Sequence, residues 1–543
     1  MKNKVMMVML VSMWTCLGSL MAGDNLILNS GFETDADADT WPDGWGKAPH
    51  LTWETENGNR FMRIKSPESG KMYIIYRKFD IPKESKAMEL SYKGRITDLK
   101  RGKKIWHDAR VIVNFQDAKG KKLGKSYASS INKNTKGWEE KKIDFLVPEG
   151  AVKLELLPAL FNVRTGIFDM DDIKLTAIDA QQLIQRQKEA AAKKEQEKLK
   201  LAALVKPQVA VPPKDKLPFE LHVEGNKIKD KNGKDVWLQG ISLCSMEWSA
   251  SGDNILKSTT EAIDNWKANC LRLPIKENFW FGKGPYQKDG GAAYRQLVDD
   301  MVNLAGGKGV YVVIDLHRFR APKQIHADFW KEVATKYKNH PAVLFELFNE
   351  PHDVTWEVWR DGGFVSTKKT NADVAAENKD KLEGFKSIGL QKLIDVVRDT
   401  GAKNIVIPGA LDWSYDLSGI LKGFELDDKG GNGIVYSSHV YPWKSKWQEM
   451  FLDVAAKYPI FIGEIGCEIK PMPWQKTTED PHVWAPDMLG LIQKYKLNWT
   501  AWCFHPRSTP RVILDWDYTP TPFWGKYVKE ALSGKQFEMK KMR

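Results

Sequence analysis

Two glutamates each close a short apolar run: Glu350 ends AVLFELFNE and Glu464 lies in PIFIGEIG. Other polar residues recur at the same place in comparable runs. Arg272 lies in CLRLPI, His317 ends YVVIDLH, Asn349 precedes Glu350, His439 and Tyr441 lie in IVYSSHVY, and Trp502 lies in NWTAWCF. Any one of them could serve only to satisfy a hydrogen bond. The whole set, converging on one rim, is harder to explain by packing. Two carboxylates among aromatics, without metal-ligand spacing, suit cleavage of a glycosidic bond, in which one donates a proton to the leaving oxygen and the other stays ionised to attack the anomeric carbon. Those roles require environments that drive the two pKa values apart. Arg272 offers a charge that would hold Glu464 ionised, and Glu350, beside a negative partner, would be pushed toward protonation.

The elements that must position these residues are legible as a repeating pattern. Eight strand-like runs, VWLQGIS, CLRLPI, YVVIDLH, AVLFELFNE, NIVIPGA, IVYSSHVY, PIFIGEIG and NWTAWCF, alternate with helical segments. Among these, ADFWKEVATKYKNH and GLQKLIDVVRDTG carry apolar residues at three- and four-residue spacing. The pattern predicts a (β/α)8 barrel over 217–535, with the polar set at the C-terminal ends of its strands, where such barrels carry their active sites. A doubly wound open sheet is the alternative, but no glycine-rich phosphate loop follows the first strand. Before it, LHVEGNKIKDKNGKDVWLQGIS places Asn232 and Gly233 as a two-residue hairpin turn.

Upstream the character changes. From 24 to 178, alternating segments such as MELSYKGRI, ARVIVNF, KKIDFLV and VKLELLPAL predict an all-β sandwich. Residues 179–216 join a polar, helix-favouring stretch, QQLIQRQKEAAAKKEQEKLKLAALVK, to KPQVAVPPKDKLP, and read as a semi-rigid spacer. Residues 1–22 have lysines, a long apolar run and a small-residue cleavage region, as in a secretory signal peptide, so the expected location is outside the cytoplasm: secreted, periplasmic or at the cell surface.

At 543 residues, 42% hydrophobic and 28% charged, the chain is long enough for two separate cores. The formal net charge of +12 comes from scattered lysines, many in the spacer, and no helix-turn-helix, RNA-binding or zinc-finger signature accompanies it. No nucleic-acid partner and no stable membrane insertion are expected. The 22 tryptophans exceed what packing alone requires, and flat indoles suit sugar rings. Without Cys16, the cysteines are Cys244, Cys270, Cys467 and Cys503, read as buried thiols, with pairing of Cys467 and Cys503 left open.

FELFNEP and IGEIG, with LRLPI, IDLH, SSHVYPW and TAWCF, resemble glycoside hydrolase family five, the cellulase-like retaining barrel glycosidases. The resemblance implies Glu350 as acid/base and Glu464 as nucleophile, Asn349 on the sugar 2-hydroxyl, and Arg272 and Tyr441 holding the nucleophile. It further implies that His317 and His439 line the catalytic subsite and that Trp502 floors it. Retention follows, with carboxyl groups about 5 to 5.5 Å apart. The catalytic chemistry needs no cofactor. The leading expectation is an endo-β-1,4-glucanase acting as a monomer on a β-glucan such as cellulose. A mannanase, xyloglucanase or other β-glycan hydrolase on the same scaffold is the alternative, and an inactive polysaccharide-binding protein or a structural wall protein is more remote. The long connection after strand four is the main departure, with Trp356, Trp359, Trp413 and Trp443 as sugar platforms or loop pins. The ends of the amino-terminal region, NLILNSGFE and FDMDDIKL, resemble carbohydrate-binding modules of the family-four and family-nine type, which are β jelly rolls. That resemblance makes Glu33 and Asp172 candidate ligands of a structural calcium. Trp45, Trp106 and Trp138 are the candidate stacking residues there, with Trp45, beside Gly44, equally readable as core.

Overall fold

The computed structural model describes residues 24–104, 106–366, 384–473 and 475–543. The signal segment and the centre of the long connection after strand four lie outside the described residues. The chain forms two compact units that meet at Lys194 and Glu195, inside the helix Ala180–Ala203.

The first unit contains ten strands: β1 Leu51–Glu56, β2 Asn59–Lys65, β3 Tyr73–Ile74, β4 Arg77–Asp80, β5 Ala87–Lys100, β6 Ala109–Gln116, β7 Lys122–Ile131, β8 Glu139–Leu146, β9 Lys153–Leu160 and β10 Thr165–Ala177. They form two antiparallel sheets, one in the order β1-β2-β10-β5-β8 and one in the order β3-β9-β6-β7, with β4 also on β9. Strand β6 shows why: its burial alternates residue by residue, sending Val111, Val113 and Phe115 to the core. There they share a cluster with Leu154 and Leu156 of β9, Leu90 and Ile96 of β5, and Phe168 and Met170 of β10. The β1–β2 turn is Asn57-Gly58, both left-handed, as the commonest two-residue hairpin turn requires. Trp45 belongs to this core at 5% exposure, the packing alternative of its two readings, whereas Trp106 is 47% exposed.

In the second unit, all eight expected runs form parallel strands: Gln239–Ser242, Cys270–Ile275, Tyr311–Leu316, Val343–Phe348, Val406–Pro408, Tyr436–Val440, Ile460–Ile465 and Asn498–Ala501. Pairing runs continuously from the fifth back to the first, then through the eighth and seventh to the sixth. Two isolated parallel bridges, Val406 to Ile434 and Gly409 to Ser437, join the fifth to the sixth and bring the barrel nearly to closure. An open doubly wound sheet is thereby excluded. Strands two, three, four and seven are buried at every position, as expected when helices cover one face and the barrel interior the other.

The lower interior is filled by Cys270, Tyr311, Val313, Leu344, Ile405, Ile407, Val435 and Phe461. Leu221 and Ile228 of a hairpin, Leu221–Glu224 with Lys227–Asp230, join the same cluster and plug that end. This hairpin reverses at Gly225-Asn226, one turn earlier than expected. The Asn232-Gly233 turn follows it and is closed by a single bridge from Lys229 to Asp235. The proline-containing end of the spacer is tied to this unit: the amides of Gln208 and Val209 donate to the buried Asp300 carboxylate at 3.1 and 3.2 Å. The four cysteines among the described residues are buried and free. Cys503 lies with Cys244 beside Trp502, whereas the Cys467 thiol faces the Phe523 carbonyl, so the two cysteines considered for pairing have different neighbours. Among the described residues no helix is long and apolar enough to cross a membrane.

Candidate active site

Above the apolar plug, the strand alternation that points Cys270, Val313, Leu344 and Val435 inward points Arg272, Asp315, Glu346 and Ser437 inward two residues later. Arg272 is fully buried among acceptors. Its Nε donates to Glu346 Oε2 at 2.5 Å, Nη1 to Glu464 Oε1 at 2.9 Å and Nη2 to Asn349 Oδ1 at 2.6 Å, while Asp315 Oδ2 lies 3.0 Å from Nη2. One guanidinium therefore binds the ends of strands three, four and seven together. Asp315 and Glu346 are absent from the sequence-based site, although both fall in phase with Arg272.

Local irregularities aim the two glutamates. Strand seven carries an extra residue, Gly463, between pairings of Ile462 with Ser438 and Glu464 with His439. This bulge re-aims Glu464. Any side chain at 463 would meet Ser437 Oγ at 2.6 Å and Glu346 Oε1 at 3.0 Å, so only glycine fits. On strand four, a two-residue ladder pairs Phe319 with Glu350 and Arg320 with Pro351, and the Glu350 amide donates to the Arg318 carbonyl at 3.0 Å.

Carboxylate oxygens of Glu350 and Glu464 and a ring nitrogen of His439 all lie within 4.8 Å of one another. His439 Nδ1 is 3.0 Å from Glu350 Oε1 and 3.6 Å from Glu464 Oε2. The Tyr441 hydroxyl donates to Glu464 Oε2 at 2.6 Å, so each oxygen of Glu464 has a donor. Burial works against ionisation of Glu464, but the charges of His439 and Arg272 hold its pKa below the usual carboxylate value, helped by the bond from Tyr441. Burial raises Glu350, and the charge of Glu464 adds to it. The two carboxyl groups are thus driven apart in the directions the chemistry needs. Burial would lower His439, yet Glu464, Glu346 and Glu350 raise it to about 9. Burial would raise Glu346, yet Arg272 and His439 hold it at about 2. His317, 2.7 Å from Asp315 through Nδ1, is pushed by burial down to about 3 and is a neutral ring at neutral pH. It stacks on Trp502, with centroids 5.5 Å apart and planes 8° apart.

Since Arg272 takes Asn349 Oδ1, the buried Nδ2 is left without a protein partner, a donor available to a ligand. Glu350 and Glu464 open into a cleft of about 560 Å³ that is walled by Trp413, Trp443, Tyr441, Phe319, His317 and Trp502. Trp443 lies flat on Tyr441 at 4.7 Å and 2°. Trp413 is held in a left-handed run, with φ of 52°, 60° and 55° at Asp412, Trp413 and Ser414. Such backbone costs about 1–3 kcal/mol per residue and persists where surroundings impose it. Here Ser414 Oγ donates to the Asn349 carbonyl at 2.5 Å and Lys444 Nζ to Asp412 Oδ2 at 2.7 Å. Trp359, 1% exposed with Nε1 on the Gly409 carbonyl at 2.9 Å, and Trp356, packed on the core against Phe424, are loop pins and not platforms.

All eight barrel residues singled out from the sequence meet at this rim. Glu33 and Asp172 lie in the other unit and both border Gly31, where an added Cβ would come within 3.8 Å of each. There Glu33 Oε1 accepts the Arg60 amide at 2.9 Å and Asp172 Oδ2 pairs with Lys93 at 2.7 Å.

The cellulase family model, glycosyl hydrolase family 5, matches residues 229–508, more than half of the chain. The chain belongs to glycosyl hydrolase family 5. It is a glycoside hydrolase of the cellulase type. The cellulase CelDZ1 of Thermoanaerobacterium sp is 26% identical over 345 residues, covering 58% of this chain and 80% of that protein. Endoglucanase A of Butyrivibrio fibrisolvens is 28% identical over 260 residues, 46% of this chain and 52% of that protein. Among solved structures, the β-glucanase SdGluc5_26A of Saccharophagus degradans in complex with cellotetraose is similar at 23% identity and a TM-score of 0.46, covering 60% of this chain and 97% of that one. This family 5 chain therefore spans most of the first relative and about half of the second.

Proposed function

We propose that the barrel is a retaining endo-β-1,4-glucanase working by double displacement. The observation that carries the reading is the close pair of Glu350 and Glu464, with Glu350 pushed toward its protonated form and Glu464 held ionised. Glu350 gives its proton to the glycosidic oxygen as Glu464 bonds to the anomeric carbon, and the leaving chain departs with a free hydroxyl. Glu350, now a carboxylate, takes a proton from water as that water displaces Glu464, and configuration is retained. Arg272 and Tyr441 orient the nucleophile by one bond to each oxygen. Asn349 Nδ2 donates to the sugar 2-hydroxyl, His317 and His439 line the catalytic subsite, and Trp502 floors it. Trp413 and Trp443, 44% and 37% exposed in the cleft, serve as platforms for neighbouring sugars. The relatives named cellulase and endoglucanase favour a β-1,4-glucan substrate.

Reducing-sugar release from carboxymethylcellulose, mixed-linkage glucan, mannan, xyloglucan and xylan tests this, with Glu350→Ala and Glu464→Ala alongside. Cleavage of the glucans, lost in both variants, is the expected result. Cleavage of mannan or xyloglucan alone moves the substrate, and silence on all five overturns the enzyme reading.

The sandwich, by its resemblance to family-four and family-nine jelly rolls, is proposed to bind polysaccharide and so raise the local concentration of the barrel on a polymer. Exposed Trp106 is its first candidate contact, and retention of Glu464→Gln with and without Trp106→Ala in glucan affinity gels tests it. A calcium at Glu33 and Asp172 would share the Asp172 carboxylate with Lys93, which pairs with Oδ2. Melting of the sandwich with and without calcium decides that. Export through residues 1–22 and a monomeric state complete the proposal, checked by the amino-terminal sequence of the mature protein and by light scattering.

A further inference from the structure

We propose that His352 is a positioning residue for the leaving-group side of the cleft, acting through the indole of Trp413. The inference rests on the glucanase reading above. His352 and Trp413 form the tightest ring stack among the described residues, with centroids 3.6 Å apart and planes 7° apart. The imidazole is 9% exposed and lies beneath the indole, while the indole is 44% exposed and lines the cleft near Phe319. One face of Trp413 is thus taken by His352, leaving the other for a sugar ring.

Position in the chain gives this stack its meaning. His352 stands two residues after Glu350, and both are fastened to the same short segment: Glu350 pairs with Phe319, and the His352 amide donates to the Arg320 carbonyl at 3.1 Å. Trp413 is joined to strand four again through Ser414 Oγ and the Asn349 carbonyl. Trp413 therefore lies on the Glu350 side of the carboxyl pair, the side on which the leaving oxygen receives its proton, and Trp502 floors the Glu464 side. The spacing between proton donor and platform is set by Pro351 and by the His352 ring. Among the described residues, the other ring near this half-exposed indole on its left-handed backbone is Phe319, 6.0 Å away and inclined by 55°. Without the imidazole, the indole would settle into the vacated space, and its free face would no longer be level with the scissile bond.

The test compares two substrates in the full-length enzyme. Cellopentaose places sugars on both sides of the scissile bond, while β-cellobiosyl fluoride releases an ion too small to reach Trp413. His352→Ala is expected to lower kcat/KM on cellopentaose roughly 3- to 10-fold, mainly through KM, as an aromatic stack of ordinary strength implies. The loss on the fluoride should be at least about threefold smaller. His352→Phe, which restores a flat ring, should recover most of the loss, and His352→Ala with Trp413→Ala should be no worse than Trp413→Ala alone. His352→Leu takes the place of His352→Ala if the latter does not fold. Equal losses on both substrates, additive effects in the double variant, or no rescue by phenylalanine would overturn the proposal. A wild-type enzyme inactive on both substrates would instead overturn the glucanase reading on which it rests.

Discussion

The Tyr441 hydroxyl donates to Glu464 Oε2 at 2.6 Å, closer than His439 Nδ1 at 3.6 Å, and its ring lies flat against Trp443. Hydrogen bonds to charged groups contribute about 1.5–3 kcal/mol. Tyr441→Phe should therefore lower kcat/KM on cello-oligosaccharides by roughly 10- to 150-fold while leaving the melting temperature close to wild type. An unchanged kcat/KM would mean that Arg272 alone orients the nucleophile.

The pH dependence of kcat/KM should be bell-shaped. Its acid limb belongs to Glu464, kept below the ordinary carboxylate range by His439 and Arg272 against its burial. Its alkaline limb belongs to Glu350, raised above that range by burial and by Glu464. His439→Gln removes a charge that helps hold Glu464 ionised, so its acid limb should move to higher pH. A profile with only one limb would contradict the assignment of two roles to this pair.

Glu247, five residues after the first barrel strand, is buried, accepts the Ser245 amide at 2.7 Å, and is raised by that burial to about 8 from an ordinary 4.5. A raised carboxyl favours the folded state at low pH: the contribution is fully present below about 4.5 and is lost as pH rises through about 8. Glu247→Gln cannot ionise. Its melting temperature relative to wild type should rise between pH 5 and pH 9, and a difference independent of pH would show that Glu247 is already ionised in the fold.

Two tryptophans near the cleft should respond oppositely. Trp359→Ala empties a fully packed site and breaks the bond to Gly409, at a cost of about 3–5 kcal/mol in unfolding free energy. Trp413→Ala should barely change stability and should weaken binding of cello-oligosaccharides by roughly 3- to 10-fold. Denaturant unfolding and calorimetric titration separate the two effects.

No step of the proposed chemistry runs through a metal ion. Chelation with EDTA should leave the initial rate on carboxymethylcellulose unchanged, and a loss restored by calcium would place an ion in the working enzyme.

Much of the barrel was legible because its strands are buried on both faces and read as largely apolar runs, most of them with a polar residue at or near the end. Asp315 and Glu346 escaped the same reading because they lie within their runs, IDL and FELF, where they look like isolated exceptions. Counting by twos from Arg272 and from the inward Val313 and Leu344 would have found them. Tryptophan roles were less accessible. Trp45, Trp356 and Trp359 face cores and Trp413 faces the cleft, and no local pattern distinguishes an indole that fills space from one that forms a wall. The left-handed run at Asp412, Trp413 and Ser414 is equally hidden, since none of these residues is a glycine to announce it.

The hairpin that plugs the barrel has a bearing on where this protein can be cut. The family match begins at residue 229, inside the second strand of that hairpin, and ends at 508, before Trp524 and the helix Gly525–Leu532 enter the core. A chain trimmed to those limits would lose Leu221 from one end of the barrel and an entire covering helix from its flank. Freeing an intact catalytic half means cutting within the spacer upstream of Gln208, so that the plug, and the amides that clasp Asp300, stay with the enzyme they seal.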